Sequence, residues 1–376
     1  MNEHGSTTVG TALWGRAEQQ EFRGRVRGCL LGGAIGDALG AGIEFDSLAA
    51  VRAAHGPAGV TGYVPAYGRR GAVTDDTQMT LFTAEGLIRA HVRRDTGAWH
   101  PPTDIHGAYL RWAATQRDWG PDERVADAGW LAREEWLYAR RAPGNACLSG
   151  LADTAMGTPE APKNPDSKGC GAVMRSAPFG LLVGWEPRQV FRLAADCAVQ
   201  THGHPTGRLA AGAFAAVVHG VVRGETLEGA VRGALALLAA HAGHEETTAA
   251  LLRALDAVRQ GPPTAERLES LGEGWVAEEA LAMGVYCALV AEDVRHGLLL
   301  AVNHGGDSDS TGSICGNILG ALHGETVLPP GWVVELEGRS TILELADDFA
   351  MELTQGPALH GRDAASAAWL ARYPRA

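Results

Sequence analysis

Residues 25–40 read Arg25-Val26-Arg27-Gly28-Cys29-Leu30-Leu31-Gly32-Gly33-Ala34-Ile35-Gly36-Asp37-Ala38-Leu39-Gly40. Val26, Leu30, Ala34 and Ala38 recur every four residues, which lines up one side of an α-helix; a half-buried strand would alternate instead. Gly36 and Gly40, also four apart, suit a close approach to a neighbouring helix. Moving outward, the same period returns at 79–92, where Leu81, Ala84, Leu87 and Ile88 share a face. It predicts further helices over 189–199, 209–222, 227–240, 247–258, 277–291, 298–302, 313–322 and 341–351. Alternating β-branched runs are scarce and no fixed repeat is visible. Polar and Gly/Pro-rich segments at 55–77, 141–171, 202–207 and 303–312 read as loops. The expectation is an all-α chain with one compact helical domain over 21–376, preceded by a flexible lead-in over 1–20.

The composition bounds what such a domain does. Of 376 residues, 45% are apolar and 20% charged, a globular balance rather than a disordered one. Lys and Arg number 32 against 44 Asp and Glu, a formal net charge of −12. That is the wrong sign for a protein whose main work is gripping a phosphate backbone, so a nucleic-acid partner is not expected. No run of 18 apolar residues is free of charge, and residues 1–9 lack the apolar centre of a secretory signal. The six cysteines form no Cys-x-x-Cys pair and read as reduced, mostly buried thiols. Together these predict a soluble cytoplasmic protein with no membrane partner. Glycine, at 50 residues, runs at roughly twice its usual share. Part of that is background composition, and part flanks acidic clusters.

Two such clusters each stand just before a predicted helix. Thr74-Asp75-Asp76-Thr77 follows a glycine-rich loop, and Gly306-Asp307-Ser308-Asp309-Ser310-Thr311 precedes the helix at 313. Both fit ordinary helix caps. The Asp-x-Asp spacing also places two carboxylates on one side of a turning loop, with Ser310 adding a neutral oxygen. An EF-hand calcium loop does not fit, because its glycine and glutamate positions are missing. Glu44 lies between Ile43 and Phe45, an awkward place for a carboxylate unless it points to the surface or has a partner. Were Glu44, Asp75, Asp76, Asp307 and Asp309 to meet, their repulsion would call for cations. Oxygen donors of this kind select Mg²⁺ or Mn²⁺.

Gly36-Asp37-Ala38-Leu39-Gly40 with Glu44, Val73-Thr74-Asp75-Asp76-Thr77 and Gly306-Asp307-Ser308-Asp309-Ser310-Thr311 resemble the three signatures of the ADP-ribosylglycohydrolases. Ser167-Lys168-Gly169-Cys170-Gly171-Ala172-Val173-Met174-Arg175 and Thr201-His202-Gly203-His204-Pro205-Thr206-Gly207 extend the resemblance, which runs in order from about 25 to 324. It implies an all-α orthogonal bundle with a central metal cleft holding two Mg²⁺ or Mn²⁺. Thr74, Asp75, Asp76, Asp307, Asp309 and Ser310 match the metal ligands; the last is often Thr in the family, and Ser keeps the hydroxyl. Glu44 matches a glutamate near the scissile bond, and Glu44 with Asp307 is the expected catalytic pair. Asp37 is expected to act in support or in packing. Ser167, Gly169, Cys170 and Gly171 resemble the loop that wraps ribose and diphosphate. His202, His204 and Trp275 are the remaining expected substrate contacts. Arg175 is expected to be structural, and Lys168 to meet a phosphate or solvent.

The implied reaction removes ADP-ribose from a modified protein. The His-x-His-Pro-Thr-Gly and Asp-Ser-Asp-Ser-Thr strings resemble the arginine-specific branch, so ADP-ribosyl-arginine is the expected substrate. A bacterial toxin or its target is one expected partner. Two alternatives stay open at this stage. One is a non-catalytic ADP-ribose-binding or toxin-blocking immunity protein, and the other is a metal-dependent phosphohydrolase.

Overall fold

A computed structural model of the chain describes residues 14–375 except 96, 98, 123, 126 and 127. In chain order its helices are α1 (Arg16–Gly40), α2 (Leu48–His55), α3 (Asp75–Arg94), α4 (Pro101–Thr115), α5 (Asn145–Gly150), α6 (Ala177–Gly180), α7 (Pro187–Ala198), α8 (Pro205–Val222) and α9 (Leu227–Leu238). They continue with α10 (Glu245–Ala257), α11 (Ala265–Glu269), α12 (Ala277–Val290), α13 (Val294–Val302), α14 (Ser308–His323), α15 (Pro330–Glu335), α16 (Arg339–Leu359) and α17 (Ala364–Arg372). Among the described residues there is no strand, only two isolated bridges, Ala66 with Arg69 and Gly169 with Val276. The chain is all-α, as the periodicity predicts.

The central feature is the antiparallel pairing of α1 with α14. A Cβ on Gly28, Gly32, Gly36 or Gly40 would come within 3.0 Å of the α14 backbone. A Cβ on Gly312, Gly316 or Gly320 would do the same to α1. Two GxxxG stripes therefore face each other, and the backbones meet with no side chain between them. Asn317 Nδ2 donates across the seam to the Cys29 carbonyl at 2.8 Å. The sequence reading expected close packing from Gly36 and Gly40 alone, and an apolar stripe on one side. The helix is instead buried on every side from Gly28 to Gly40, as befits a central rod. Helices α3 and α16 pack on α1, while α8, α12 and α13 pack on α14. The seam delivers the C-terminal end of α1, and Glu44 just beyond it, to the first turn of α14.

Several boundaries differ from the sequence reading, and two of them matter for the site. Helix α3 begins at Asp75 rather than 79, and α14 at Ser308 rather than 313. The acidic clusters are thus first helical turns and not loops. The reason is capping: Thr74 Oγ1 accepts from the Asp76 amide at 3.3 Å, and Asp307 Oδ1 from the Ser310 amide at 3.3 Å. Helix α4 escaped the periodicity because His100-Pro101-Pro102 reads as a breaker, although proline suits the first helical turn. Helix α1 starts at Arg16, inside the segment expected as a lead-in; residues 1–13 of that segment lie outside the described residues.

Candidate metal centre

The ends of three helices meet at one buried pocket. Glu44, Asp307 and Asp309 each offer a carboxylate oxygen, and these oxygens lie within 4.8 Å of one another. Asp75 and Asp76 come from the first turn of α3, both about 3% exposed. Asp37, wholly buried in α1, holds that turn in place. It accepts from the Thr74 and Thr77 amides at 3.0 and 3.1 Å and from Thr77 Oγ1 at 2.5 Å. The Gly144 amide donates to Asp75 Oδ2 at 3.3 Å, and the Asp75 amide to the Arg141 carbonyl at 3.3 Å. On α14, the Ser310 amide also donates to Asp309 Oδ1 at 2.8 Å, and the Asp307 amide donates to the Glu273 carbonyl at 2.8 Å.

Burial first, and then mutual repulsion centred on Asp309, drives these carboxyls away from their ionised forms. Glu44 is pushed up to about 10 and Asp37 to about 7, where hydrogen bonds from Thr77 and Thr74 resist the rise. Asp75, Asp76 and Asp307 stand well above the usual carboxylate range, and Asp309 is raised too. Glu44 Oε2 and Asp76 Oδ1 are buried with no hydrogen-bond partner. Unpartnered buried carboxylate oxygens are costly alone and become ligands beside a cation, which inverts this pKa logic. The surrounding donors are carboxylates plus the Thr74 and Ser310 hydroxyls. That set fits a hard divalent cation.

Beside the acids runs the glycine-rich segment 167–171. It is pinned to the stretch before α12: the Cys170 amide donates to the Trp275 carbonyl at 3.2 Å, and the Ala277 amide to the Lys168 carbonyl at 2.8 Å. The Cys170 amide is therefore already committed. The Ser167 amide donates to the Asn164 carbonyl at 2.9 Å, and the Ser167 carbonyl accepts from the His204 amide at 3.2 Å. Cys170 Sγ reaches the acids and donates to Asp307 Oδ2 at 2.8 Å. Lys168 stays partly open to solvent, and its Nζ is shared by Glu278 and Glu246 at 2.7 and 2.8 Å. Arg175 is buried, as expected of a structural arginine, and ties the Gly171 carbonyl (2.8 Å) to Thr201 Oγ1 (2.7 Å).

His202 lies beneath the loop, so that a Cβ on Gly171 would touch its ring at 3.0 Å. Its Nδ1 bonds Thr201 Oγ1 at 2.8 Å, and burial, reinforced by Arg175, lowers it to about 3. His204 caps α8, its Nδ1 accepting from the Thr206 amide at 3.2 Å. Trp275 stacks on Phe45, with ring centroids 5.7 Å apart and planes 15° apart. Both rings stay partly open to solvent, forming an aromatic lip next to Glu44.

A family model for ADP-ribosylglycohydrolases matches residues 18–358, a span that takes in every element of this pocket. The chain belongs to the ADP-ribosylglycohydrolase family. Within that family it is 24% identical over 318 residues to the ADP-ribosyl-dinitrogen reductase glycohydrolase of Rhodospirillum rubrum, covering 83% of this chain and 90% of that protein. It is 25% identical over 333 residues to the ADP-ribosylarginine hydrolase Tri1 of Serratia proteamaculans, covering 88% and 80%. A solved structure described as an ADP-ribosylglycohydrolase-related protein complex matches with a TM-score of 0.60 at 24% identity. That match covers 89% of this chain and 100% of that one, and it concerns the fold.

Other residues that shape this ADP-ribosylglycohydrolase pocket gave no signal in the sequence. Arg141 and Glu337 form a buried ion pair, and the Arg141 guanidinium donates to the Val73 carbonyl at 2.9 Å. Glu337 Oε2 accepts from the Val73 amide at 3.2 Å. The pair thus braces the entry to Thr74-Asp75-Asp76. Tyr67 adopts a positive φ of 50° under the Arg141 guanidinium. Its phenol is raised by burial and then by the charges of Glu44 and Asp309, which places it on the acidic side. No helix among the described residues is long and apolar enough to cross a membrane.

Proposed function

We propose that this family member hydrolyses the N-glycosidic bond joining ADP-ribose to a modified arginine side chain, releasing ADP-ribose and restoring the protein. The observation that carries the reading is the buried meeting of Glu44, Asp307 and Asp309, with Glu44 Oε2 left unpartnered, inside a chain of this family. Thr74, Asp75, Asp76, Asp307, Asp309 and Ser310 would hold two Mg²⁺ or Mn²⁺ ions. When bound, such ions supply charge neutralisation, a grip on ribose hydroxyls and acidification of water. Glu44, at the edge of the centre, moves the proton at its Oε2 oxygen. The bond from the anomeric carbon to the guanidine nitrogen breaks, the hydroxyl of water joins that carbon, and the remaining proton ends on the guanidine. Positive charge developing on the ribose is favoured beside the carboxylates, Asp307 among them.

The segment Ser167, Gly169, Cys170 and Gly171 would lie along the ribose and diphosphate. His202 supports it from below, His204 holds the adjoining helix start, and Trp275 offers a flat face. The arginine acceptor draws support from the relatives named ADP-ribosylarginine hydrolase. The setting would be cytoplasmic reversal of a modification placed by a toxin or by the cell's own transferase. The deciding assay incubates the protein with arginine-, serine- and nucleic-acid-linked ADP-ribose in Mg²⁺, Mn²⁺ or chelator. Intact ADP-ribose released from the arginine conjugate, and abolished by chelator, is the expected result. Release of AMP or phosphate would point to a phosphohydrolase, and tight binding without turnover to a blocking protein.

A further inference from the structure

Two sulfurs adjoin the oxygens of this centre, Met174 Sδ at 4.0 Å from the Ser310 hydroxyl and Cys170 Sγ, and only the cysteine can become a thiolate. Cys170 Sγ donates to Asp307 Oδ2 at 2.8 Å and receives the Ser310 hydroxyl at 3.6 Å. Asp307 in turn shares a 4.8 Å group with Glu44 and Asp309. Two oxygens of the same pocket, Glu44 Oε2 and Asp76 Oδ1, lack partners on residues only 7% and 3% exposed. Thiolate is a soft ligand that favours Zn²⁺ and its heavier relative Cd²⁺ over Mg²⁺ or Mn²⁺.

We propose that the centre is also a binding site for a thiophilic divalent cation of the zinc–cadmium type, with Cys170 Sγ and an Asp307 oxygen as joint ligands and Glu44 or Asp309 closing the set. The inference rests on reading the acidic cluster as a metal centre. Binding breaks the S–H bond, sends its proton to solvent and forms a sulfur–metal bond, with no change of oxidation state. Ordinary zinc distances to sulfur and oxygen put the two ligand atoms about 3.6 Å apart in a tetrahedral site. The present pair therefore has to part by only about 0.8 Å, within reach of a side-chain adjustment. Such a cation competes with Mn²⁺ for Asp307, so the two occupy the centre alternately.

The test titrates metal-free protein with Cd²⁺ and follows the ultraviolet cadmium–thiolate charge-transfer absorption. The other five cysteines are all buried, so the band can be assigned through one substitution. At one equivalent the wild-type protein is expected to develop the band, and excess Mn²⁺ to erase it. Cys170→Ser is expected to lose the band and to bind Cd²⁺ at least about tenfold more weakly by calorimetry, since even indirect partners of a metal carry that much. Asp307→Ala, with the thiol intact, is expected to weaken Cd²⁺ similarly. Circular dichroism checks that both variants are folded, and Cys170→Ala replaces the serine variant if that one is not. No band in the wild type, a band surviving in Cys170→Ser, full affinity in Asp307→Ala, or indifference to Mn²⁺ would each overturn the proposal. None of these readouts needs turnover. Failure to cleave ADP-ribosyl-arginine, with the band intact, would sink the activity reading and leave this one standing.

Discussion

Asp309 raises every other carboxyl at the centre, from Asp37 to Asp307. Removing it therefore separates function from stability. Asp309→Ala is expected to lose nearly all turnover while the metal-free protein melts no lower than wild type, because repulsion is relieved; full activity would refute the ligand assignment. Glu44→Gln keeps the shape but cannot carry a proton, and is expected to slow turnover by about 10²–10⁴-fold with metal binding retained in calorimetry. His202 makes a different prediction. Its folded value, lowered to about 3 by burial, lies below the roughly 6.5 of an unfolded histidine. The unfolded chain then binds the extra proton first, so stability is lost as pH falls from about 6.5 towards 3. Melting curves of His202→Gln across that window are expected to fall less steeply than wild type; parallel curves would remove His202 as a source. At this scale the acidic residues of the centre were legible because three local strings carry them. Arg141 and Glu337 were not, because their contact spans 196 positions of chain.

Within α1 the glycines do two opposite things, and substitution distinguishes them. In an isolated helix, Gly→Ala is favourable by about 1 kcal/mol. At Gly36 the added methyl would run into the Gly312 backbone, and rigid backbone cannot yield as a flexible side chain can. Gly36→Ala is therefore expected to destabilise by about 1–3 kcal/mol and to reduce activity by shifting Glu44 away from α14. Gly24 begins the same four-residue series but has nothing within 4 Å of its added Cβ. Gly24→Ala is expected to stabilise by about 0.5–1 kcal/mol. Urea midpoints of the two variants check both signs, and a loss in both or a gain in both would remove the seam from the account. The helix pattern was legible for α1, α3, α7 to α10, α12 to α14 and α16, while α4 and the short helices α2, α5, α6, α11, α15 and α17 carried too little period or too much proline to show. The one-sided reading of α1 failed because periodicity cannot tell a surface stripe from a rod enclosed on all sides.

For the whole molecule the question is what offsets the charge at the core of a chain already at −12. A cation that binds only the folded form stabilises by mass action, about 2.7 kcal/mol at a hundredfold excess over Kd. Mn²⁺ or Mg²⁺ is expected to raise the melting temperature of wild-type protein, chelator to reverse the rise, and sodium chloride of equal ionic strength not to reproduce it. A melting temperature indifferent to divalent ions would count against the centre as a metal site.

By itself the sequence determined the helical class, the acidic and glycine-rich strings and their order, because helix period, capping residues and ligand types are local properties. It also carried both GxxxG stripes, though not the fact that they face each other. Only the tertiary structure decided that Glu44 meets Asp307 and Asp309, that Cys170 reaches Asp307, and that Lys168 is held by Glu246 and Glu278. Those contacts join residues from 78 to more than 250 positions apart. Packing fixes them, through the backbone seam of α1 and α14, and no local pattern encodes which distant groups such a seam brings together.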